Sequence, residues 1–342
     1  MGMEIVMPGA FTTVQDRGRA GYLSQGFIES GACDKYAMTL ANFFAGNLWN
    51  PDHAVLEFTL KGGDISFTSD EVIALAGADM SPMKNGIRIP MYRPVPMRKG
   101  DRLSLSIASA GLRTYLAVYG GMKIPPVMGS CSTDIKCHLG GFKGRPLKSG
   151  DYLETEKSWE EIKDFIHAFT NADLTEAIGE YEAWFRIPST PGRYIGEKRY
   201  VLLRTVPGPQ DDAFTEEGKN AFKRTTYQLS ADCDRMAYRL SGPAVELKRG
   251  ADIISDGIIE GSVQITPSGL PMVMMADHQT TGGYAKIATV ISTDIPSLAQ
   301  LRPGEWVTFQ YVTAMNAVEI ARKEHRKLQE LKKRIETAIG KW

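Results

Sequence analysis

Gln279, Thr280, Thr281, Gly282, Gly283, Tyr284 and Lys286 fall within one short stretch, Ala276-Asp277-His278-Gln279-Thr280-Thr281-Gly282-Gly283-Tyr284-Ala285-Lys286-Ile287. Their types fit a recognition task. Carboxamide and hydroxyl groups supply neutral donors and acceptors. Paired glycines let a ligand come close to the backbone and leave N–H groups that can form an anion-binding nest. Lys286 adds a point charge suited to carboxylate or phosphate, and Tyr284 offers a ring for stacking. Together they suit a small planar amide, a urea-like molecule or an anion. The same residues would also serve a wide structural loop whose polar groups satisfy one another, and residue types alone leave both readings open.

Three further sets carry chemistry. In Cys233-Asp234-Arg235-Met236, Asp234 can cap a helix, while Arg235 can anchor a substrate through its guanidinium fork. Thr12 to Gly21 is polar and glycine-rich and contains Gln15, Asp16, Arg17 and Arg19; it reads as a structural loop with an Asp–Arg pair. Gly129-Ser130-Cys131-Ser132-Thr133-Asp134, with Gly140-Gly141-Phe142-Lys143-Gly144, carries a faint phosphate-loop signal that lacks the required strand before it and helix after it.

Other classes are excluded by what is missing. There is no P-loop, no Rossmann glycine fingerprint, no H-E-x-x-H, no Gly-x-Ser-x-Gly elbow and no biotinylation sequence. Cys33, Cys131, Cys137 and Cys233 are scattered and the five histidines are dispersed, so no metal is expected. The 342 residues carry a formal net charge of +0, which argues against nucleic acid as a partner. No apolar run is long enough to span a membrane. The start of the chain does not read as a signal peptide, so a cytoplasmic location is expected.

The elements that would position these groups read as mainly β. Pro271 to Met275 and Ile287 to Ile291 flank the polar stretch as strands. Arg102 to Ile107, Thr114 to Tyr119, Tyr200 to Val206, Gln264-Ile265 and Trp306 to Gln310 are further strands, short and punctuated by Gly and Pro. That pattern favours barrels or sandwiches over a doubly wound sheet. Helical spacing appears over Asp34 to Phe44, over 158–170, and over 314–340, where Val318, Ala321, His325, Leu328, Leu331, Ile335 and Ile339 form an apolar seam. This last helix either packs on its own domain or binds a partner. Ser-Gly-Ala-Cys-Asp-Lys-Tyr-Ala-Met-Thr-Leu (30–40) also overlays Ser-Ala-Asp-Cys-Asp-Arg-Met-Ala-Tyr-Arg-Leu (230–240). Pro8-Gly9 matches Pro207-Gly208, and Arg98-Lys99-Gly100-Asp101 resembles Arg302-Pro303-Gly304-Glu305. These matches imply a duplicated module: a first domain over 1–155, a linker with a helix over 156–195, a second domain over 196–313 and a C-terminal helix over 314–342.

In order, TTVQDRGRAGY, GLRTYLAVYGG, GSCSTD, VPGPQDDAF, DRMAYRL, DHQTTGGYAKIATV and LAQLRPGE resemble one family, a biotin-dependent carboxyltransferase type. Its members are called allophanate hydrolase subunit 2, urea amidolyase-related, KipA-like or the C subunit of 5-oxoprolinase. The resemblance covers about residues 5–313. It implies two tandem cyclophilin-like β-barrel domains with a few helices, and a KipI-like (allophanate hydrolase subunit 1) partner. It further implies a subunit of a bacterial ATP-dependent 5-oxoprolinase that opens 5-oxoproline to glutamate with a LamB/YcsF-like subunit. ATP would then act at the level of the complex. Alternatives are the carboxyltransferase component of a urea carboxylase, with biotin as cofactor, and a non-enzymatic KipA-like regulator of a histidine kinase inhibitor. Under the first reading, Gln279, Thr280 and Lys286 are the expected catalytic residues, and Asp234, Arg235, Thr281, Gly282, Gly283 and Tyr284 bind substrate. The family more often has Arg at His278, Pro at Ala285, Gly at Ala237 and Glu at Asp256.

Overall fold

The structure is a computed structural model that describes residues 1–157, 160, 161, 163, 192–195 and 198–339. The helix expected over 158–170 and the loop signal near Pro188 lie largely outside the described residues. The chain divides into two compact units. The first comprises Met1–Ala20, the described residues of Ser30–Arg186, and the chain from Lys327 on. The second comprises Gly21–Glu29 and the described residues of Ile187–Arg326.

In the first unit the strands are β1 (Gly2–Met7), β2 (Phe11–Gln15), β3 (Val55–Thr59), β4 (Asp64–Phe67), β5 (Glu71–Gly77), β6 (Met83–Lys84), β7 (Ile87–Arg88), β8 (Val95–Met97), β9 (Arg102–Ser104), β10 (Arg113–Val118) and β11 (Tyr152–Glu154). They form two sheets, ordered β11-β1-β4-β9-β6-β7 and β2-β3-β10-β5-β8. Both sheets feed one apolar interior: Met3, Ile5, Ile65, Phe67 and Leu103 come from the first, and Val14, Leu56, Phe58, Leu75 and Leu116 from the second. The other face of the second sheet carries Val72, Ala74, Ala76, Tyr115 and Ala117. Helix α1 (Lys35–Phe44) covers it with Leu40, Ala41, Phe43 and Phe44. A strand buried on both faces accounts for the unbroken apolar run of β5.

In the second unit the elements are β12 (Gly192–Ile195), β13 (Lys198–Pro207), α2 (Glu216–Arg224), β14 (Thr226–Cys233), β15 (Ala237–Ser241), β16 (Asp252–Gly257), β17 (Ser262–Ile265), β18 (Pro271–Met274), β19 (Thr281–Tyr284), β20 (Lys286–Val290), α3 (Ile295–Ala299), β21 (Trp306–Tyr311) and the first half of α4 (Ala314–Ile339). Seven strands, β13-β20-β17-β18-β15-β14-β21, form a barrel that closes where β21 pairs in parallel with β13. Alternate residues make its apolar layer. Val201 lies opposite Val307, Leu203 opposite Phe309, Leu229 opposite Leu240, and Val263 opposite Val273. All are buried, as the two-residue period of a strand requires. The second half of α4 belongs to the first unit, where Leu331 and Ile335 join the core beside α1. Val318, in the first half, is exposed.

The duplicated landmarks have different fates. Arg98 to Asp101 and Arg302 to Glu305 are the same turn. The Asp101 carboxylate accepts from Arg98 N at 2.7 Å, and the Glu305 carboxylate accepts from Arg302 N at 2.8 Å. Gly100 and Gly304 both hold the left-handed φ the turn needs, +91° and +87°. The 30–40 and 230–240 segments differ. Asp34 caps α1 by accepting from Ala37 N at 2.8 Å. Asp234, expected to cap a helix, instead accepts from Met236 N and Ala237 N at 2.7 and 3.0 Å in the turn between β14 and β15. A short acidic side chain satisfies either geometry. The residues beyond it decide: Ala-Met-Thr-Leu-Ala-Asn-Phe-Phe repeats at helical spacing, whereas Ala-Tyr-Arg-Leu-Ser alternates.

Candidate functional site

The polar stretch after β18 is not the open loop its composition suggests. Thr281 to Tyr284 are extended and pair with β16, Gly282 lying opposite Asp256 and Tyr284 opposite Asp252. The two strands form a separate ribbon. The nest expected at Gly282 and Gly283 is therefore absent: neither has positive φ, and their backbone belongs to a strand pairing. The partner, Asp-Ile-Ile-Ser-Asp-Gly, is mostly exposed and lacks the half-buried alternation that marks a strand in sequence.

Beneath the root of this ribbon lies the outer face of the barrel. Gln264 is registered with Met272 on one side and Lys286 on the other. These three share the face opposite to Val263 and Ile265. Ile258 packs there with Ala237, Met272 and Met274. Lys286 is buried, and its Nζ lies 2.6 Å from Asp256 Oδ2 and 2.9 Å from Gly257 O. Gln210 ties the same pair: its Nε2 donates to Asp256 Oδ2 at 3.0 Å, and its Oε1 accepts from Lys286 N at 3.2 Å. The hydrogen bond from Lys286 foremost, then those from Gln210 and Gly257 N, hold the Asp256 carboxyl at a pKa of about 2. The expected anion anchor thus already carries a carboxylate, and that carboxylate is half exposed to solvent.

Gln264 is a residue the sequence reading passed over. Its side chain is fully buried; Nε2 donates to Tyr284 O at 3.3 Å, and Oε1 has no hydrogen-bond partner among the described residues. A buried amide end without a partner is costly. The signal was in Val263-Gln264-Ile265, where a polar residue alternates with two buried apolar ones. Gly282 makes the approach possible. A Cβ there would lie 2.7 Å from Gln264 Nε2 and 3.2 Å from Gln279 Nε2. Gln264 and Gln279 thus converge on Gly282, with Gln279 and Thr281 exposed and Thr280, Gly283 and Tyr284 partly so.

Arg235 is buried and grips Asp277 with two bonds, Nε to Oδ2 at 2.8 Å and Nη2 to Oδ1 at 2.9 Å. Asp277 N returns a bond to Arg235 O at 2.8 Å. This forked pair locks the turn that leads into Gln279, so Arg235 could anchor a ligand only by sharing its fork. Asp234, next to it, is exposed. His278 is buried, and its Nδ1 lies 2.8 Å from Gln279 O.

The other two polar sets meet in the first unit. Asp16 accepts from Ser130 Oγ at 2.7 Å, from Cys131 N at 2.5 Å, from Gly18 N at 2.8 Å, and from Ser132 Oγ. The expected Asp–Arg pair within the loop is replaced. Arg17 binds Asp52 at 2.7 Å, and the buried Arg19 donates to the carbonyls of Val127 and Ser132, each at 3.0 Å. Among the described residues no three His, Cys, Asp or Glu side chains gather as metal ligands, and no described helix is long and apolar enough to cross a membrane.

Residues 25–311 match the carboxyltransferase domain family, subdomain A and B. The chain is 35% identical to the C subunit of 5-oxoprolinase from Escherichia coli (strain K12) over 329 residues, covering 96% of this chain and 97% of that protein. It is 34% identical to the 5-oxoprolinase C subunit of Haemophilus influenzae, covering 94% of each. Among solved structures, the K. lactis urea amidolyase superposes with a TM-score of 0.83 at 26% identity; the match covers 96% of this chain but only 20% of that one. From the family match over most of its length, together with the mainly β architecture and closed barrel, the chain belongs to the carboxyltransferase domain family, subdomain A and B.

Proposed function

We propose that the chain is the C-type subunit of an ATP-dependent 5-oxoprolinase, acting in the cytoplasm with a KipI-like and a LamB/YcsF-like subunit to open 5-oxoproline to glutamate. One observation carries this reading. The similarity to the 5-oxoprolinase C subunit runs end to end, 97% of the Escherichia coli protein being covered. In this reading the root of the ribbon holds the planar lactam. Gln264 Oε1 accepts the ring N–H, Gln279 and Thr280 donate toward the carbonyl oxygen as it gains charge, and Tyr284 lies against the ring. Lys286 and Asp256, paired at 2.6 Å, pin the root of the ribbon on which the lactam rests, while Arg235 and Asp277 fix the turn that presents Gln279.

The residues at this root do not fit a triphosphate. Lys286 is already neutralised by Asp256, and Gly282 and Gly283 are extended. ATP is therefore assigned to another subunit of the complex. The test is to combine this chain with its two partners and measure glutamate release from 5-oxoproline with ATP. Release that stops when this chain is omitted supports the reading. An assembled complex that releases no glutamate overturns it.

The superposition on the K. lactis urea amidolyase favours carboxyl transfer to urea as the second reading. The ureido ring of biotin presents the same planar donors and acceptors, which the carboxamides of Gln264 and Gln279 fit; when bound, biotin carboxylated on that ring would supply the carboxyl group. Retention of the chain on immobilised biotin, competed by free biotin, would favour this reading.

A further inference from the structure

The outward side of the ribbon carries a feature that the chemistry beneath it does not explain. β16 and β19 are tied at both ends: Ala285 N donates to Ala251 O at 2.9 Å, and Ile258 N to Thr280 O at 3.0 Å. Ala251, Ile258 and Ala285 are buried. Between these ties the register slips. Asp252 lies opposite Tyr284 and Asp256 opposite Gly282, so Gly283 alone faces Ile253, Ile254 and Ser255, and β16 carries two residues more than its partner over this span. The surplus bulges away from β19. A Cβ on Gly283 would meet Ile253 O at 3.6 Å and Ser255 Oγ at 4.0 Å, and nothing closer.

Ile254 sits in the middle of this bulge and is 95% exposed. Isolated apolar residues at a protein surface are ordinary, and Ile87, 74% exposed in the β6–β7 hairpin, is one of them. The setting of Ile254 is different. A bulge beside a site re-aims a side chain, and this one aims an isoleucine at water, where a serine would cost the fold little. Ile259, just past the strand, is 56% exposed, and Gln279 and Thr281 of the candidate site are exposed at the same ribbon. Two properties define what fits this crest. The bulge interrupts the free edge of β16, which disfavours the addition of a further strand and leaves docking through a side chain. The ionisable residues of 251–260 are Asp252, Asp256 and Glu260, with no Lys, Arg or His among them. Asp252 is exposed and Asp256 half exposed, while Lys286 lies buried beneath them. Of the two cations just before the ribbon, Lys248 is held by Asp212 O at 2.9 Å and Arg249 is exposed. The crest is therefore an apolar knob in an acidic surround. A second copy meeting it two-fold would set acid against acid, which is costly; a pocket with a basic rim is its complement.

We propose that the bulge of β16 is the docking knob for the KipI-like subunit of the complex, with Ile254 entering an apolar pocket whose rim is basic. The inference rests on the proposed function and deepens it, by naming the surface of this chain that the partner covers. Docking at the crest sets the partner on the ribbon that carries Thr281, where it can complete the site.

The test is calorimetric titration of the full-length chain with the KipI-like subunit. Ile254→Ser is expected to weaken association at least about tenfold, the worth of one isoleucine taken out of water. Ile254→Val, which removes one methylene, is expected to weaken it about fourfold at most, and Ile87→Ser to change nothing. Added salt is expected to weaken association, and Asp252→Asn to flatten that dependence. Because Ile254 is exposed, its variants are expected to keep the denaturant midpoint of the parent. Undiminished association in Ile254→Ser overturns the inference, and so does an equal loss in Ile87→Ser. Dimerisation of the chain alone that Ile254→Ser abolishes would give the knob to a second copy and sink the inference as well. Glutamate release by the full mixture, without measurable association of these two proteins, refutes the docking and leaves the proposed function standing. Absence of both release and association refutes both.

Discussion

The two polar clusters of this molecule solve the same problem in opposite ways. At the root of the ribbon, Lys286 is buried but its partner Asp256 is half exposed, so solvent shares the cost of the charge. In the first unit, Asp16 is buried and held by four protein donors, while Arg19 is buried with one nitrogen unpartnered among the described residues. A charge pair open to water contributes little to stability and remains available for chemistry. A carboxylate saturated in the interior contributes much to stability and is costly to disturb. The Asp16 cluster is therefore expected to show itself in folding, and the Lys286 cluster in turnover.

The largest effect should come from Asp16→Ala, which leaves two serine hydroxyls and two backbone N–H groups without their acceptor. A loss of about 3–5 kcal/mol is expected from the denaturant midpoint, the upper range for a single substitution. A midpoint shift no larger than that of Asp256→Ala would break the contrast. Next, Lys286→Met should reduce turnover of the assembled complex at least about tenfold, because the ribbon root that positions Gln279 and Thr280 loses its ion pair and small misplacements of reacting groups are costly. Its far-ultraviolet spectrum and midpoint should stay near those of the parent. Unchanged turnover would remove Lys286 from the site.

A smaller effect is the pH response of the Lys286–Asp256 pair. The folded carboxyl sits at about 2, below its unfolded value of about 3.9. The pairing therefore contributes above pH ~4 and is lost as pH falls toward 2. Carboxyl carbon resonances should show Asp256 ionised at pH 3 in the parent, and titrating near pH 4 in Lys286→Met. The mildest test concerns the thiols. Burial raises Cys131 and Cys233 to a pKa of about 11, and Cys33 is buried. Partial burial and the Asp134 carboxylate raise Cys137 as well, but Cys137 is the exposed cysteine, so alkylation at pH 8 should reach it first through its accessibility. Earlier modification of Cys131 would show that the Asp16 cluster opens more readily than its hydrogen bonds imply.

Local patterns accounted for much of the fold. The spacing over Asp34 to Phe44 specified α1, a β-branched and aromatic run specified β10, all six residues of which are buried, and the Arg-x-Gly-acid signature specified the same turn in both units. These signals come from residues a few positions apart, so any chain with that pattern forms them. The match of 30–40 with 230–240 misled for a related reason. The acidic residue that stops an element is shared, and the residues after it decide what begins.

The sequence by itself determined the family, the mainly β character, and the polar residues available for binding. The tertiary structure alone decided which of them meet. Gln264 joined Gln279 and Lys286 because strand register and the closing of the barrel set them on one face. Asp256 became the partner of Lys286 because a distant, solvent-exposed strand folded back onto Thr281 to Tyr284. Asp16 and Ser130 are 114 positions apart, and their hydrogen bond leaves no periodic mark in either segment. Such pairings depend on which strands lie side by side, and that choice is made by burial of the whole apolar surface rather than by any single stretch of chain.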